Sequence, residues 1–513
     1  MQIRLSVTLS GGASLGAYQA GAMAALLVAI QDRIEAGDDR VRLEAVGGAS
    51  AGALVALFSA HALARGIDPV ALLRTTWVER VSLDLLRSRH GRAPLDFEAM
   101  RDGLRGVLGA DGGAPRHPPS RTPQPTPVVL HVSLTGLQGL TYPIRSIRRE
   151  QDITGVTYAD WGWFTLEPGD GPERLFEPPD ASPLDFVLAS AANPGGFAPR
   201  LLDRGRDAPA YEARGIRDLP DHGRLWYGDG GLVQTEPLGR VLAAGRLRGD
   251  HAGGRGVRRV QVVVDPRSEE PSGSGRWTNP GDVPRWEEGL SRALAILPAQ
   301  ILYDDLRRTE KRNTRLDWAD ALTDALAPHL DAGAADALDR VLATMAEDRA
   351  SLRRDEPRPG REEPDQAGEN PRDKLYRAVA EVAGLAAKER VAVDVISPRL
   401  ISDEWDEEVP ALLAGEFLGD FGGFLREELR QSDFCLGYHS GRVWLERALP
   451  ETELDGATVE RLLDAVDQQS PGDWREANRG EAGIRSLPVR ARLRLARYAA
   501  HMGRVIATAL LRR

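Results

Sequence analysis

The sequence predicts an α/β fold, with a mostly parallel central sheet flanked by helices and a largely helical C-terminal region. Two observations carry this. A strand, a glycine turn and an apolar helix follow one another twice within the first 65 residues, and buried-strand patterns return far downstream at 257–264 and 391–396. Strands alternating with helix-length apolar segments are the mark of a parallel sheet covered by helices. Ile3, Leu5, Val7 and Leu9 alternate, so 2–9 reads as a strand. Gly11-Gly12 breaks it, and 15–34 runs at helical spacing. A short strand at 43–46 meets Gly47-Gly48 and leads into an apolar helix at 51–64. Residues 128–134 are another strand candidate. In 257–264, Val260, Val262, Val263 and Val264 leave little room for polarity, as in a strand buried on both faces. Residues 285–351 are mostly helical, and 410–513 are helical with charged faces. The Pro-, Glu- and Arg-rich 353–373 and the proline-rich 110–127 read as flexible loops with too little apolar surface for a core. No internal repeat is found.

Composition narrows the function. In 513 residues, 42% are hydrophobic and 28% charged, the balance of a globular protein. A net charge of −10 argues against a general nucleic-acid binder. The single cysteine, Cys435, excludes an internal disulfide and any cysteine-cluster metal site. Only Lys311, Lys374 and Lys388 are lysines, the remaining basic residues being arginine, which reads as codon bias. No export signal is visible, and the most apolar run, 20–30, is short for a bilayer, which needs about 20 residues. The expected compartment is the cytoplasm.

Three glycine-rich turns hold the candidate chemistry. Gly48-Ala49-Ser50-Ala51-Gly52 lies between a strand and an Ala-rich helix. Glycines on either side permit a tight bend that exposes the serine hydroxyl, and the helix N-terminus favours negative charge there. The pattern alone is weak and arises by chance; its placement is what makes it informative, against a structural reading as a glycine turn with a capping serine. Ser10-Gly11-Gly12-Ala13-Ser14-Leu15-Gly16 also joins a strand to a helix, and its small residues let backbone N–H groups converge on a phosphate or an oxyanion. A nucleotide-binding reading competes here, although the glycine spacing is not that of a dinucleotide fingerprint and no P-loop lysine follows. Tyr227-Gly228-Asp229-Gly230-Gly231-Leu232 sets an accessible carboxylate among glycines, or is only a turn.

In order and type these three motifs resemble the patatin-like phospholipase family, with its glycine-rich oxyanion loop, G-x-S-x-G elbow and D-G-[GA] base. The stretch Ala189-Ser190-Ala191-Ala192-Asn193-Pro194-Gly195-Gly196-Phe197-Ala198-Pro199 is similar to the segment that precedes the base in that family. Phe421-Gly422-Gly423-Phe424-Leu425 and Asp433-Phe434-Cys435-Leu436-Gly437 look like the tails of bacterial members. The resemblance spans about 5–265. It implies a patatin-like catalytic core at 1–265, a helical insertion at 266–373 ending in a charged loop, a helix and strand returning to the core at 374–400, and a helical region at 401–513.

The resemblance also implies a serine lipid acyl hydrolase needing no metal or cofactor. Ser50 is then the nucleophile and Asp229 the general base of a dyad without histidine. The N–H groups of Gly11, Gly12 and Ala13, with Ala51 as a further donor, hold the oxyanion, and Gly48, Gly52, Gly230 and Gly231 shape the elbow and base loop. One departure is Leu15, where the family usually has a basic residue; an arginine there would restore that charge. Two other readings stay open. One is a Ser-His-Asp triad using His222, His251, His329, His439 or His501. The other is a catalytically weak patatin-fold regulatory or lipid-binding protein.

The expected partner is a lipid or membrane-surface substrate, with no nucleic acid and the oligomeric state left open. From 485 to 513 there are eight arginines and no acidic residue. Arg490, Arg494, Arg497, His501 and Arg504 fall on one helical side, and Leu495, Tyr498, Met502, Val505, Ile506 and Leu510 on another. A basic amphipathic helix of this kind lies on an anionic membrane surface, or packs its stripe on the protein and leaves the arginines to solvent.

Overall fold

Strand β1 (Gln2–Leu9) is apolar on one face and on the other carries Gln2 and Arg4 followed by the small hydroxyls of Ser6 and Thr8, so both faces of its C-terminal half can be covered. Ile3, Leu5, Val7 and Leu9 are buried, and so are Ser6 and Thr8. In a computed structural model of the chain it accordingly lies inside the sheet. The described residues are 2–38, 40–86, 88, 93–109, 128–145, 152–166, 182–213, 215–216, 219–220, 222–234, 237–245, 257–267, 286–352, 370–385, 390–405, 412–418, 420–452, 454–477 and 487–511.

The other strands are β2 (Val41–Gly48), β3 (Val128–Arg145), β4 (Asp152–Leu166), β5 (Arg200–Asp203), β6 (Arg224–Gly228), β7 (Val257–Val264) and β8 (Ala392–Ile396). They form one sheet in the order β5-β6-β3-β2-β1-β7-β8, with β4 also paired to β3. Pairs β1–β2, β1–β7, β2–β3 and β7–β8 are parallel. At the other edge β3–β4, β3–β6 and β5–β6 are antiparallel.

This antiparallel edge differs from the expectation of a single strand at 128–134. Its burial does not follow polarity, because one face of β4 is exposed at its start and buried from Asp160 onward. On β4, Val156 and Tyr158 are exposed while Asp160 is 1% exposed. The buried carboxylate is satisfied by Arg204 Nη1 at 3.1 Å and by the hydroxyls of Tyr211 and Tyr227, each at 2.6 Å. Paired in this way a buried charge is tolerable, and a face that exposes Val156 and Tyr158 but buries Asp160 lacks the usual strand signal.

Helices of eight or more residues are α1 (Gly16–Glu35), α2 (Ala51–Arg65), α3 (Glu98–Gly109), α4 (Pro183–Ser190), α5 (Leu238–Gly245), α6 (Trp286–Leu326), α7 (Ala332–Leu352), α8 (Pro371–Val382), α9 (Glu427–Ala448), α10 (Gly456–Gln468) and α11 (Val489–Leu511). Helix α1 is long and apolar enough to cross a membrane, yet its most apolar window is 94% buried inside the protein. It runs against α9 at near backbone contact. A Cβ on Gly21 would collide with the Phe434 carbonyl, and one on Gly437 with that of Tyr18. Phe434, Leu436, Tyr438 and Val443 of α9 therefore join the same hydrophobic cluster as α1 and β1.

Between β7 and β8, helices α6 and α8 share a small separate cluster of Leu316, Ala319, Ala380 and the adjoining Leu385. Asn313 ties α6 to the start of β8, its Nδ2 donating to the Val391 carbonyl at 2.8 Å. Asn370 caps α8 by accepting the Asp373 N–H at 2.9 Å. The loop expected at 110–127 and residues 353–369 of the loop expected at 353–373 lie outside the described residues, whereas 371–373 are the first turn of α8, capped by Asn370, rather than loop.

Candidate active site

In parallel sheets, ligands bind beyond the carboxyl ends of the strands. Strands β1 and β2 are in parallel register with Leu9 opposite Gly48, so their following turns sit side by side. Strand β6 ends at Gly228 against Thr135 of β3 and delivers Asp229 to the same place. Three turns separated widely in sequence thus meet.

Ser50 stands at φ 54°, ψ −124°, a backbone region that side chains rarely adopt. Such strain costs about 1–3 kcal/mol and persists only where the surroundings hold it. A Cβ on Gly52 would collide with the carbonyls of Leu9 and Ser10, and one on Gly48 with that of Leu9. The bend fits only because both positions lack side chains. The Ser50 N–H donates to Ser190 Oγ at 2.9 Å, which fixes the bend from the end of α4.

From this position Ser50 Oγ donates to Asp229 Oδ2 at 3.0 Å. The second carboxylate oxygen, Oδ1, accepts the Gly231 N–H at 2.8 Å. Asp229 is anchored through its backbone as well: its carbonyl accepts Thr135 Oγ1 at 2.7 Å and its N–H donates to Ala192 O at 3.1 Å. A Cβ on Gly230 would strike the Ser133 carbonyl, which accounts for that glycine. Asp229 is 4% exposed. Burial pushes its pKa up to about 6, against the opposing pull of hydrogen bonds from Gly231, Ser50 and Asn193 and of the Arg267 charge. At neutral pH it is largely the carboxylate, which is the proton-accepting form.

The β1–α1 loop supplies donors. Among the described residues nothing accepts the N–H groups of Gly11, Gly12, Ala13 or Ala51. The carbonyls of the same peptide groups are engaged. Ser10 O accepts Gln19 Nε2 at 2.6 Å, Gly11 O accepts Arg267 Nη2, and Gly12 O accepts the Leu15 N–H at 2.8 Å. Ala13 at φ 44° completes the reversal of the chain. Leu15 is fully buried in the main core cluster. An arginine at that position would enter the core, so the expectation that it would simply restore a charge fails on packing. Downstream residues hold the loop: Ser14 N–H donates to Asp420 O at 2.9 Å, Ser14 Oγ donates to the same carbonyl, and the Gly423 N–H donates to Ser14 Oγ at 3.1 Å.

Among the described residues no histidine bonds to Ser50 or Asp229. His222 is exposed, its Nδ1 accepting the Arg224 N–H, and His329 is exposed too. His251 and the side chain of His501 lie outside the described residues. Sequence reasoning flagged the 189–199 stretch but assigned no role to Ser190 or Asn193, and it missed Thr135, Gln19 and Arg267. The Ala-Asn-Pro step after α4 was the available signal for Asn193; nothing local marks the others.

The arrangement joins a strained, hydrogen-bonded hydroxyl to a buried carboxylate, next to a turn with free N–H donors. Chemically it can activate an oxygen nucleophile and stabilise an adjacent anion. Comparison with protein families adds one finding: the model of a family described as patatin-like phospholipase matches residues 7–242, a span containing all three turns. No curated protein matches the chain.

Proposed function

Because residues 7–242 belong to the patatin-like phospholipase family, we propose that the chain is a serine lipid acyl hydrolase, cleaving fatty-acyl esters of phospholipids or related lipids through a Ser50–Asp229 dyad. The observation that carries this reading is the 3.0 Å hydrogen bond from Ser50 Oγ to a carboxylate oxygen of Asp229, with no histidine in contact among the described residues.

Asp229 Oδ2 takes the Ser50 proton as Oγ attacks the acyl carbonyl. The carbonyl oxygen becomes an oxyanion facing the N–H groups of Gly11, Gly12 and Ala13, with Ala51 at the start of α2 a further donor; removing one such donor costs about 100-fold or more in rate. Collapse expels the alcohol, which leaves with the proton held by Asp229, and the acyl group stays on Ser50. Asp229 then takes a proton from water, the hydroxide oxygen attacks the acyl-enzyme, and collapse releases the fatty acid and returns the proton to Ser50 Oγ. The same carboxylate serves both half-reactions.

Labelling with a fluorophosphonate probe and fatty-acid release from mixed liposomes test the proposal. Wild-type protein is expected to be labelled and to release fatty acid, and Ser50→Ala to do neither. Folded wild-type protein that takes no label and releases nothing overturns it in favour of a non-hydrolytic lipid-binding or regulatory protein.

A further inference from the structure

We propose that Arg267, carried by the C-terminal end of β7, is the positioning cation of the candidate oxyanion loop: its guanidinium binds the Gly11 carbonyl and thereby strengthens the Gly12 N–H as a donor to the oxyanion. The proposal rests on the hydrolase reading above and deepens it.

The argument starts from the peptide group. The Gly11 carbonyl and the Gly12 N–H belong to one conjugated amide, so a cation drawing electron density toward the oxygen leaves the N–H more positive. Arg267 Nη2 donates to this oxygen. Charge-assisted hydrogen bonds are roughly twice as strong as neutral ones. The two neighbouring peptides of the loop are engaged only by neutral donors, Gln19 Nε2 on Ser10 O and the Leu15 N–H on Gly12 O. Arg267 therefore distinguishes Gly12 among the free donors.

The scaffold around Arg267 is built to hold it there. Its N–H donates to Asp265 Oδ1 at 3.0 Å, the same oxygen that accepts Ser10 Oγ at 3.0 Å, so one carboxylate fixes both the arginine and the start of the loop. Pro266 Cγ lies 3.3 Å from where a Gly12 Cβ would stand, so the 265–267 turn lies against the loop. Asp420 Oδ2 is 4.0 Å from Arg267 Nε, a long pair that leaves the bond to Gly11 as the closer contact. The Arg267 charge also acts on Asp229, where it favours the ionised base. Leu15 sits in the core and carries no charge, so among the described residues Arg267 is the cation bonded to this loop.

Three variants separate charge from mere attachment. Arg267→Lys keeps a charged donor, Arg267→Gln a neutral one, and Arg267→Ala neither. With a short soluble ester, Arg267→Lys is expected within about fivefold of wild-type kcat. Arg267→Gln and Arg267→Ala are expected to lose roughly 10- to 100-fold in kcat with KM nearly unchanged, less than the loss from deleting a donor outright. Guanidinium ion at millimolar concentration is expected to restore part of the Arg267→Ala activity, since the side chain is 30% exposed and its place is reachable. Equal kcat for the Lys and Gln variants overturns the proposal and makes Arg267 a structural tie. Wild-type kcat in Arg267→Ala overturns it as well. Should Arg267→Ala fail to fold, the Lys–Gln comparison decides alone. Wild-type protein without esterase activity is a different outcome: it removes the hydrolase reading, and this proposal falls with it.

Discussion

At the scale of single residues, the site couples a strained serine to a carboxylate whose proton affinity burial has raised. Asp229 must be ionised to accept a proton, and its pKa stands near 6 rather than 3.8. Activity on a soluble ester should therefore fall on the acid side with an apparent pKa near 6, and Asp229→Asn should lose at least about 1,000-fold in kcat at every pH. A pH–rate profile checks both, and an acid limb near 4 would contradict the burial argument. The strain at Ser50 makes a separate prediction. Ser50→Gly should be more stable than Ser50→Ala by about 1 kcal/mol, because glycine accepts φ 54° without penalty. Urea denaturation of the two inactive variants measures the difference. Ser50 and Asp229 were legible in the sequence as candidates because the close approach of Leu9, Ser10 and Ser133 demands Gly48 and Gly52 around the serine and Gly230 after the aspartate. Arg267 was not, since it lies in a distant segment with no motif of its own, and Ser190 showed only as part of the 189–199 stretch, with nothing to mark its bond to Ser50.

At the scale of elements, the parallel centre was legible because Ile3, Leu5, Val7 and Leu9 alternate along β1 and Val260, Val262, Val263 and Val264 crowd β7, each next to a glycine turn or helix-length apolar segment. The antiparallel edge was hidden because a single face of β4 leaves Val156 and Tyr158 exposed and buries Asp160, so polarity and burial do not match along it. The contribution of α9 to the site was hidden also. Asp433 on this helix accepts the N–H groups of Ala414 at 2.7 Å and Gly415 at 3.0 Å, fixing the start of the segment that carries Asp420 and Gly423. Burial, with the negative charges of Glu416 and Asp420 nearby, pushes its pKa up to about 8 from 3.8. The folded state thus holds a proton that the unfolded chain releases, so this group's contribution is fully present below pH 3.8 and is lost progressively up to pH 8. Relative to Asp433→Asn, which cannot ionise, wild-type stability should decline across that window at up to about 1.4 kcal/mol per pH unit. Parallel slopes for the two proteins would show that Asp433 is ionised when folded.

At the scale of the whole molecule, a net charge of −10 opposes approach to anionic lipid, and α11 offers the opposite sign. Arg490, Arg497 and Arg504 are exposed on it, while Leu495 and Tyr498 are half-buried, Tyr498 against the main core. Each surface arginine is worth about 1 kcal/mol near an anionic bilayer. Sedimentation with anionic liposomes should show salt-sensitive binding that a truncation after Pro488 removes without unfolding the protein; binding unchanged by the truncation would assign α11 to the protein surface alone. The tie between Ser14 and Gly423 has a consequence in time. Its partners are 409 positions apart. At synthesis rates of about 5–20 residues per second, roughly 20–80 s separate the appearance of the two residues. Throughout that interval the growing chain already holds Ser50 but lacks the downstream residues that hold the β1–α1 loop in place. The candidate site thus stays without that support until the chain has been made past Gly423.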